Sequence, residues 1–288
     1  MAHKLGVIGG SGLYAMEGLT DVREVRVSTP FGDPSDVLIE GRLGDAEVVF
    51  LPRHGRGHRL TPTEVPYRAN MWALRSRGVR WVLSVSAVGS LKEEIVPGHL
   101  VVVDQFIDRT QHRASTFFDR GVVAHVQFGD PTCDVLRAMA TEAARSTGAT
   151  VHDGGTYVCM EGPQFSTRAE SKLYRSWGAD VIGMTNVPEC KLAREAEMSY
   201  ATLALSTDYD CWYEGHDEVS VESVVAVIHK NVAVAQQVVR ALAPKVAGYA
   251  GPPPKAHSAL AFAIMTQRDL IPADARARLE LLLGEYLK

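Results

Sequence analysis

The sequence predicts an α/β fold, with a central mixed, twisted sheet flanked by helices and a helical extension at the C-terminus. Three observations predict it. From about residue 64 onward, apolar runs of strand length alternate with amphipathic stretches of helix length, the pattern that lays helices on both faces of a sheet. The 288 residues are 46% hydrophobic and 22% charged, which suits a globular chain long enough to bury a sizeable core. Gly251-Pro252-Pro253-Pro254 interrupts the alternation as a stiff connector. The expected organisation is therefore one domain over residues 1–250, a Pro-rich connector over 251–256 and a helical extension over 257–288.

Residues 4–8 form a short apolar strand that runs into Gly9-Gly10-Ser11-Gly12. Strands follow at 22–27, 36–39 and 47–51, joined by turns containing Pro30, Gly32, Pro34 and Gly44. A helix starts at Thr63 or Glu64, carries Pro66 in its first turn and stops at Gly78. Buried strands follow at 80–86 and 100–104, then an amphipathic helix at 134–147 ended by Gly148. Residues 150–160 read as one strand, 167–177 as a helix with Ser166 and Glu170 near its start, and 181–184 as a short strand. A helix at 188–198, a strand at 200–207 and a long helix at 219–246 complete the alternation. The last helix, at 272–287, carries Leu279, Leu281, Leu282 and Leu283, a row that must pack on this domain or on a neighbouring subunit.

The totals exclude several function classes. A net charge of -4 with no lysine-arginine run argues against nucleic-acid binding. No apolar run approaches the length of a membrane span, and the N-terminus lacks the apolar segment of a signal peptide. Cys133, Cys159, Cys190 and Cys211 are scattered, as expected of reduced thiols rather than a disulfide framework or a zinc site. The expectation is a soluble, cytoplasmic protein without a membrane or nucleic-acid partner.

The most informative segment is Ser206-Thr207-Asp208-Tyr209-Asp210-Cys211-Trp212, which follows an apolar strand. Strand geometry would aim Asp208 and Asp210 to one face at the strand's C-terminal end, where open α/β sheets place ligands. Two carboxyls so placed can meet two adjacent polar atoms on a flat heterocycle, such as N7 and the 6-amino group of adenine. The competing reading is a helix N-cap aspartate beside a solvated neighbour. Gly10-Ser11-Gly12-Leu13-Tyr14-Ala15 fits the dinucleotide fingerprint G-x-G-x-x-A, but no helical stretch follows before the strand at 22–27. The loop can still hold an anion on its N–H groups and the Ser11 hydroxyl. Three more anion-compatible groups end strands: Arg53-His54, Ser86-Ala87 and Thr185. There is no nucleophile elbow, H-E-x-x-H or Walker lysine.

Six motifs together carry a resemblance: VIGGSGLY, LPRHGRGHRLTPTEVPYRANMWAL, SVSAVGSL, MEGPQFSTRAES, VIGMTNVPECKLAREAEM and STDYDCW. In this order, over about residues 3–246, they resemble the S-methyl-5'-thioadenosine phosphorylases of the trimeric purine nucleoside phosphorylase family. The resemblance implies a single phosphorylase domain, a homotrimer and reversible phosphorolysis of a thioether nucleoside to adenine and 5-methylthioribose 1-phosphate. It implies salvage of purine and of methionine sulfur. It implies no metal and no organic cofactor, inorganic phosphate being a co-substrate. Carried over by position, the phosphate site is Ser11, Arg53, His54, Ser86, Ala87 and Thr185. Met184 lies against the ribose, Phe165 packs on the purine, and Asp208 and Asp210 take the base edge as the catalytic pair. Val221 and Val224 line the apolar 5' pocket, which His125 of an adjacent subunit covers. Ser11 stands where many members have threonine, and Gln164 where some have arginine.

The residue chemistry agrees with that assignment. Phosphate beneath the anomeric carbon stabilises the positive charge that develops on the sugar. Asp208 can protonate purine N7 only if burial raises its pKa. The alternative within the family is a 6-oxopurine nucleoside or methylthioinosine phosphorylase, whose members usually carry asparagine at the position of Asp208. The alternative from another class is a nicotinamide-dinucleotide enzyme or binder resting on the glycine loop.

Overall fold

A computed structural model describes residues 3–214 and 221–288. The side chains of residues 11, 221–226 and 228–230 lie outside the description. The first half supplies β1 (Leu5–Gly9), β2 (Leu19–Val25), β3 (Leu38–Leu43), β4 (Ala46–Pro52), α1 (Tyr67–Ser76) and β5 (Trp81–Ser90). Then come β6 (Leu100–Val103), β7 (Gln105–Arg109), α2 (Asp134–Arg145), β8 (Val151–Asp153), β9 (Thr156–Met160) and α3 (Arg168–Ser176). The chain ends with β10 (Val181–Gly183), α4 (Asn186–Glu195), β11 (Ser199–Asp208), α5 (Val221–Ala247) and α6 (Ala273–Leu283).

The sheet is mixed, and β5 is its hub. β1 lies parallel to β4 and to the first half of β5, β11 runs parallel along β5, and β10 pairs antiparallel with its last residues. Beyond β11 lie β6 and β8, and beyond β10 lie β9 and β7. Strand alternation feeds two cores. Val82, Val101 and Val103 join α1 and α4 on one face, through Met71, Leu74, Leu192 and Ala193. Trp81, Leu83, Leu100 and Val102 join α2 and α5 on the other, through Leu136, Ala140, Val238 and Leu242. Because β1, β4, β5 and β11 are mutually parallel, their C-terminal ends share one edge of the sheet, and loops there can converge on a single cavity.

Several expected elements change. The strand read at 150–160 is two strands, since Gly154 (φ +94) and Gly155 (φ +144) take backbone conformations closed to most residues and let the chain leave β6 for β7 and β10. β7, with its mostly polar edge-strand sequence, escapes the apolar pattern altogether. The first helix begins at Tyr67 with Pro66 as its N-cap rather than inside its first turn. The cap of α3 is Thr167, which shares a reciprocal capping box with Glu170. The last helix is shorter than 272–287 and packs within its own chain, with Leu279, Leu282 and Leu283 buried in the core and Leu281 against it. Glu197 ties that segment down by accepting from the Leu260 N–H at 3.0 Å and the Tyr286 hydroxyl at 2.6 Å.

One buried acid has consequences for pH dependence. Glu195 accepts from the Thr116 hydroxyl and the Phe117 N–H, both at 2.7 Å, and both donors are neutral. Burial pushes its carboxyl up to about 7. A raised carboxyl pKa means that the folded state holds the proton more tightly, so stability falls as pH rises from the ordinary carboxyl range through about 7. Glu195→Gln should remove that slope. Thermal unfolding of both proteins across this range checks it, and parallel pH profiles would contradict it.

Candidate functional site

A cavity of about 360 Å³ opens at the shared strand edge. Nine of the thirteen sequence-predicted site residues line it: Arg53, His54, Ser86, Ala87, Phe165, Met184, Thr185, Asp208 and Asp210. Gly10, from the loop after β1, lines it as well. The Ser11 backbone lies in a short 3-10 turn, Ser11–Leu13, followed by β2 rather than an α-helix, so the loop lacks the helix that a dinucleotide fingerprint needs. The side chains of Ser11, Val221 and Val224 fall outside the described residues. His125 is exposed and absent from its own chain's cavity lining, and its backbone N–H donates to the Ala263 carbonyl at 2.8 Å.

Asp208 is the last residue of β11, and a bulge precedes it. Strand alternation does not carry Asp210 to the same face. Asp210 opens a 3-10 turn with φ +47, and its N–H donates to Asp208 Oδ1 at 2.8 Å. The pair is therefore held by a tight turn. Thr207 Oγ1 donates to Asp208 Oδ2 at 2.7 Å, and Ser166 Oγ lies 3.2 and 3.1 Å from the two Asp210 oxygens. Burial raises both carboxyls above the usual carboxylate range, and the charge of Asp210 raises Asp208 further. Phe165, 52% exposed, leaves a ring face available to a flat ligand.

Gly89 makes room for the pair. A Cβ there would sit 3.0 Å from Asp208 Oδ1 and 3.3 Å from Asp210 Cβ. Gly89→Ala should displace both carboxyls by tenths of an ångström and slow any reaction that depends on their placement by about tenfold or more. Steady-state kinetics alongside thermal unfolding would show it, and wild-type turnover in a folded variant would contradict it.

Arg53 is 3% exposed. Its Nε donates to Glu189 at 2.8 Å, its Nη2 to Glu189 at 3.2 Å and to Ser84 Oγ at 2.5 Å, and its Nη1 to the Val85 carbonyl at 3.0 Å. Burial works against the guanidinium's charge, but Glu189 outweighs it and holds the pKa above the ordinary value. Four of the five N–H donors are thus engaged within the protein, and one Nη1 hydrogen remains. The bidentate fork that the sequence offered to an anion is closed on Glu189 instead. Glu189 also accepts from Ser84 Oγ at 2.6 Å and from the Tyr200 hydroxyl at 2.8 Å. Asn186 donates to Ser84 and Tyr200 beneath them. Ser86 Oγ stands 3.4 Å from both Thr185 Oγ1 and the Tyr157 hydroxyl, separations long for hydroxyl pairs. These hydroxyls can turn to a ligand at little cost.

Sequence reasoning passed over Glu189, Ser84, Asn186, Tyr200, Ser166 and Gly89. Glu189 stands 136 residues from Arg53, and nothing local marks the pairing. Among the described residues, no group of three or more His, Cys, Asp or Glu side chains is placed to hold a metal ion. No described helix is long and apolar enough to cross a membrane.

The sequence profile of the phosphorylase superfamily matches residues 4–244. The chain is 58% identical to the S-methyl-5'-thioadenosine phosphorylase of Geobacter sulfurreducens over 288 residues, covering 100% of both chains. It is 56% identical to that of Thermosynechococcus vestitus over 291 residues, again covering 100% of both. Among solved structures it is similar to a methylthioadenosine phosphorylase from an antarctic soil metagenomic library. That match has a TM-score of 0.94 at 49% identity and covers 98% of this chain and 99% of the other. The Schistosoma mansoni methylthioadenosine phosphorylase in complex with adenine superposes with a TM-score of 0.82 at 38% identity, over 85% of this chain and 92% of its own.

Proposed function

The chain belongs to the phosphorylase superfamily, and from that premise we infer that it cleaves S-methyl-5'-thioadenosine with inorganic phosphate, releasing adenine and 5-methylthioribose 1-phosphate. It is a pentosyltransferase of purine and methionine salvage. The observation that carries the reading is the Asp208–Asp210 turn, a half-buried and a buried carboxyl with raised pKa values on the cavity that Arg53, His54, Ser86 and Thr185 also line.

In this reading phosphate sits among Ser11, Arg53, His54, Ser86, Ala87 and Thr185. A phosphate oxygen forms a bond to the anomeric carbon as the bond from that carbon to purine N9 breaks. The sugar passes through an oxocarbenium-like state that the anion stabilises. The electron pair leaves with the purine, and Asp208 transfers its proton to N7. The carboxylate of Asp210 accepts from the 6-amino group. Met184 packs on the ribose and Phe165 on the base. Val221 and Val224 form an apolar 5' pocket matched to a methylthio group, and His125 of a neighbouring copy covers it. The exposure of His125 outside its own cavity supports a shared site, and with it a homotrimer. The proposal needs no metal or organic cofactor, takes only small-molecule substrates and places the enzyme in the cytoplasm.

The test is adenine release from methylthioadenosine in the presence and absence of phosphate. Release only with phosphate, matched by one sugar phosphate per adenine, is the expected result. Phosphate-independent release would make the protein a hydrolase, and no release would overturn the reading.

A further inference from the structure

His54 follows β4 and lines the cavity beside Arg53. Its Nδ1 lies 2.8 Å from the carbonyl oxygen of Leu60. A carbonyl can only accept, so Nδ1 carries a hydrogen. The His58 ring stacks on the imidazole with centroids 4.3 Å apart and planes 15° from parallel, which fixes the ring's orientation. A second proton is disfavoured. Burial lowers the imidazole pKa to about 4, the charge of Arg53 adds to the effect and His58 adds more. The Leu60 carbonyl bond and Glu189 pull the other way but are outweighed, and Glu189 is committed to Arg53. His54 is therefore neutral near physiological pH, with a bare, basic Nε2.

The other groups at this end of the cavity are donors, or can become so. Arg53 retains one N–H, and the Ser86 and Thr185 hydroxyls stand free of short bonds. The paired charges of Arg53 and Glu189 leave the end with no net positive charge from that couple. Nε2 is the one acceptor-only atom that the described phosphate-site side chains offer. An anion that brings its own hydrogen can satisfy it. An anion without one would set an oxygen lone pair against a nitrogen lone pair, at the cost of an unmade bond.

We propose that His54 Nε2 accepts the hydrogen of a monohydrogen oxyanion, so that His54 selects phosphate and arsenate over tetrahedral dianions lacking that hydrogen, such as sulfate and monofluorophosphate. The proposal rests on the phosphate-site reading above and adds the protonation state of the co-substrate.

Titration calorimetry of the full chain with phosphate, arsenate, sulfate and monofluorophosphate, at mildly alkaline pH, tests it without turnover. Phosphate and arsenate should bind at least about tenfold more tightly than the other two. In His54→Gln, whose amide can donate or accept, the gap should shrink to within about threefold. Equal binding of all four by the wild type overturns the proposal, as does binding of none. If the variant loses its fold with the Leu60 bond, nitrogen-15 spectra of histidine-labelled wild type decide. A neutral ring protonated at Nδ1, whose Nε2 signal moves with phosphate and not with sulfate, is the expected result. An imidazolium or an Nε2-protonated ring overturns it. The adenine-release assay stays separate: turnover without anion discrimination sinks only this inference, and discrimination without turnover sinks only the proposed reaction.

Discussion

Asp208→Asn is expected to slow adenine release from methylthioadenosine by a factor on the order of 10²–10⁴, the usual worth of a positioned general acid. The asparagine amide keeps the side chain's shape and can occupy the turn in which the Asp210 N–H and the Thr207 hydroxyl meet Asp208. What it loses is the transferable proton. In the wild type, burial and the neighbouring Asp210 keep Asp208 protonated to higher pH than an ordinary carboxyl. Turnover should therefore fall as pH rises through that raised pKa, and the variant should lack this limb of the profile. N7 and the 6-substituent are adjacent on one edge of the base, so an asparagine amide that meets N7 can also donate to a 6-oxo group, and relative preference should move toward inosine. Unchanged relative rates on adenine and hypoxanthine nucleosides would remove Asp208 from the base edge.

Breaking the Arg53–Glu189 pair is the second large effect. Either Arg53→Ala or Glu189→Ala leaves a buried charge without its partner, which costs about 3–5 kcal/mol of stability. The pair joins the residue that follows β4 to α4, with Ser84 of β5 and Tyr200 of β11 bonded into it, so four elements around the cavity lose their common anchor. The double variant should lose less than the sum of the singles, with a coupling of about 1–3 kcal/mol. Denaturant unfolding of the three variants measures it, and strict additivity would contradict a coupled pair. Kinetics separate the second role. Arg53→Ala should raise KM for phosphate more than KM for the nucleoside, because the remaining Nη1 hydrogen serves the phosphate end. Equal rises would take Arg53 out of that site.

The legibility of this chain follows the range of the interactions involved. Continuous apolar runs and helical patterns report burial, so the strands β1, β5, β6 and β11 and the helices α2 and α5 stand out in the sequence. Edge strand β7 and the break at Gly154-Gly155 do not, because one is mostly polar and the other is a backbone event without a periodic signature. Polar groups after apolar strands were readable, and six of them, Arg53, His54, Ser86, Thr185, Asp208 and Asp210, do line one cavity, whereas Phe165 and Met184 came from the resemblance. Their supports were not readable. Glu189 meets Arg53 across 136 residues, and His54 meets Leu60 through a carbonyl that carries no side-chain identity. The Asp208–Asp210 spacing pointed to the right place through the wrong geometry, since a tight turn and not a strand brings the carboxyls together.

The most direct test of the account is phosphate-dependent base release measured side by side on methylthioadenosine, adenosine, methylthioinosine and inosine. The account predicts the highest kcat/KM on methylthioadenosine, with adenosine reduced by the apolar 5' pocket and both 6-oxopurines reduced by Asp208 and Asp210. Hypoxanthine released faster than adenine would contradict the assignment of the carboxyl pair to the 6-aminopurine edge, which is the claim on which the mechanism rests.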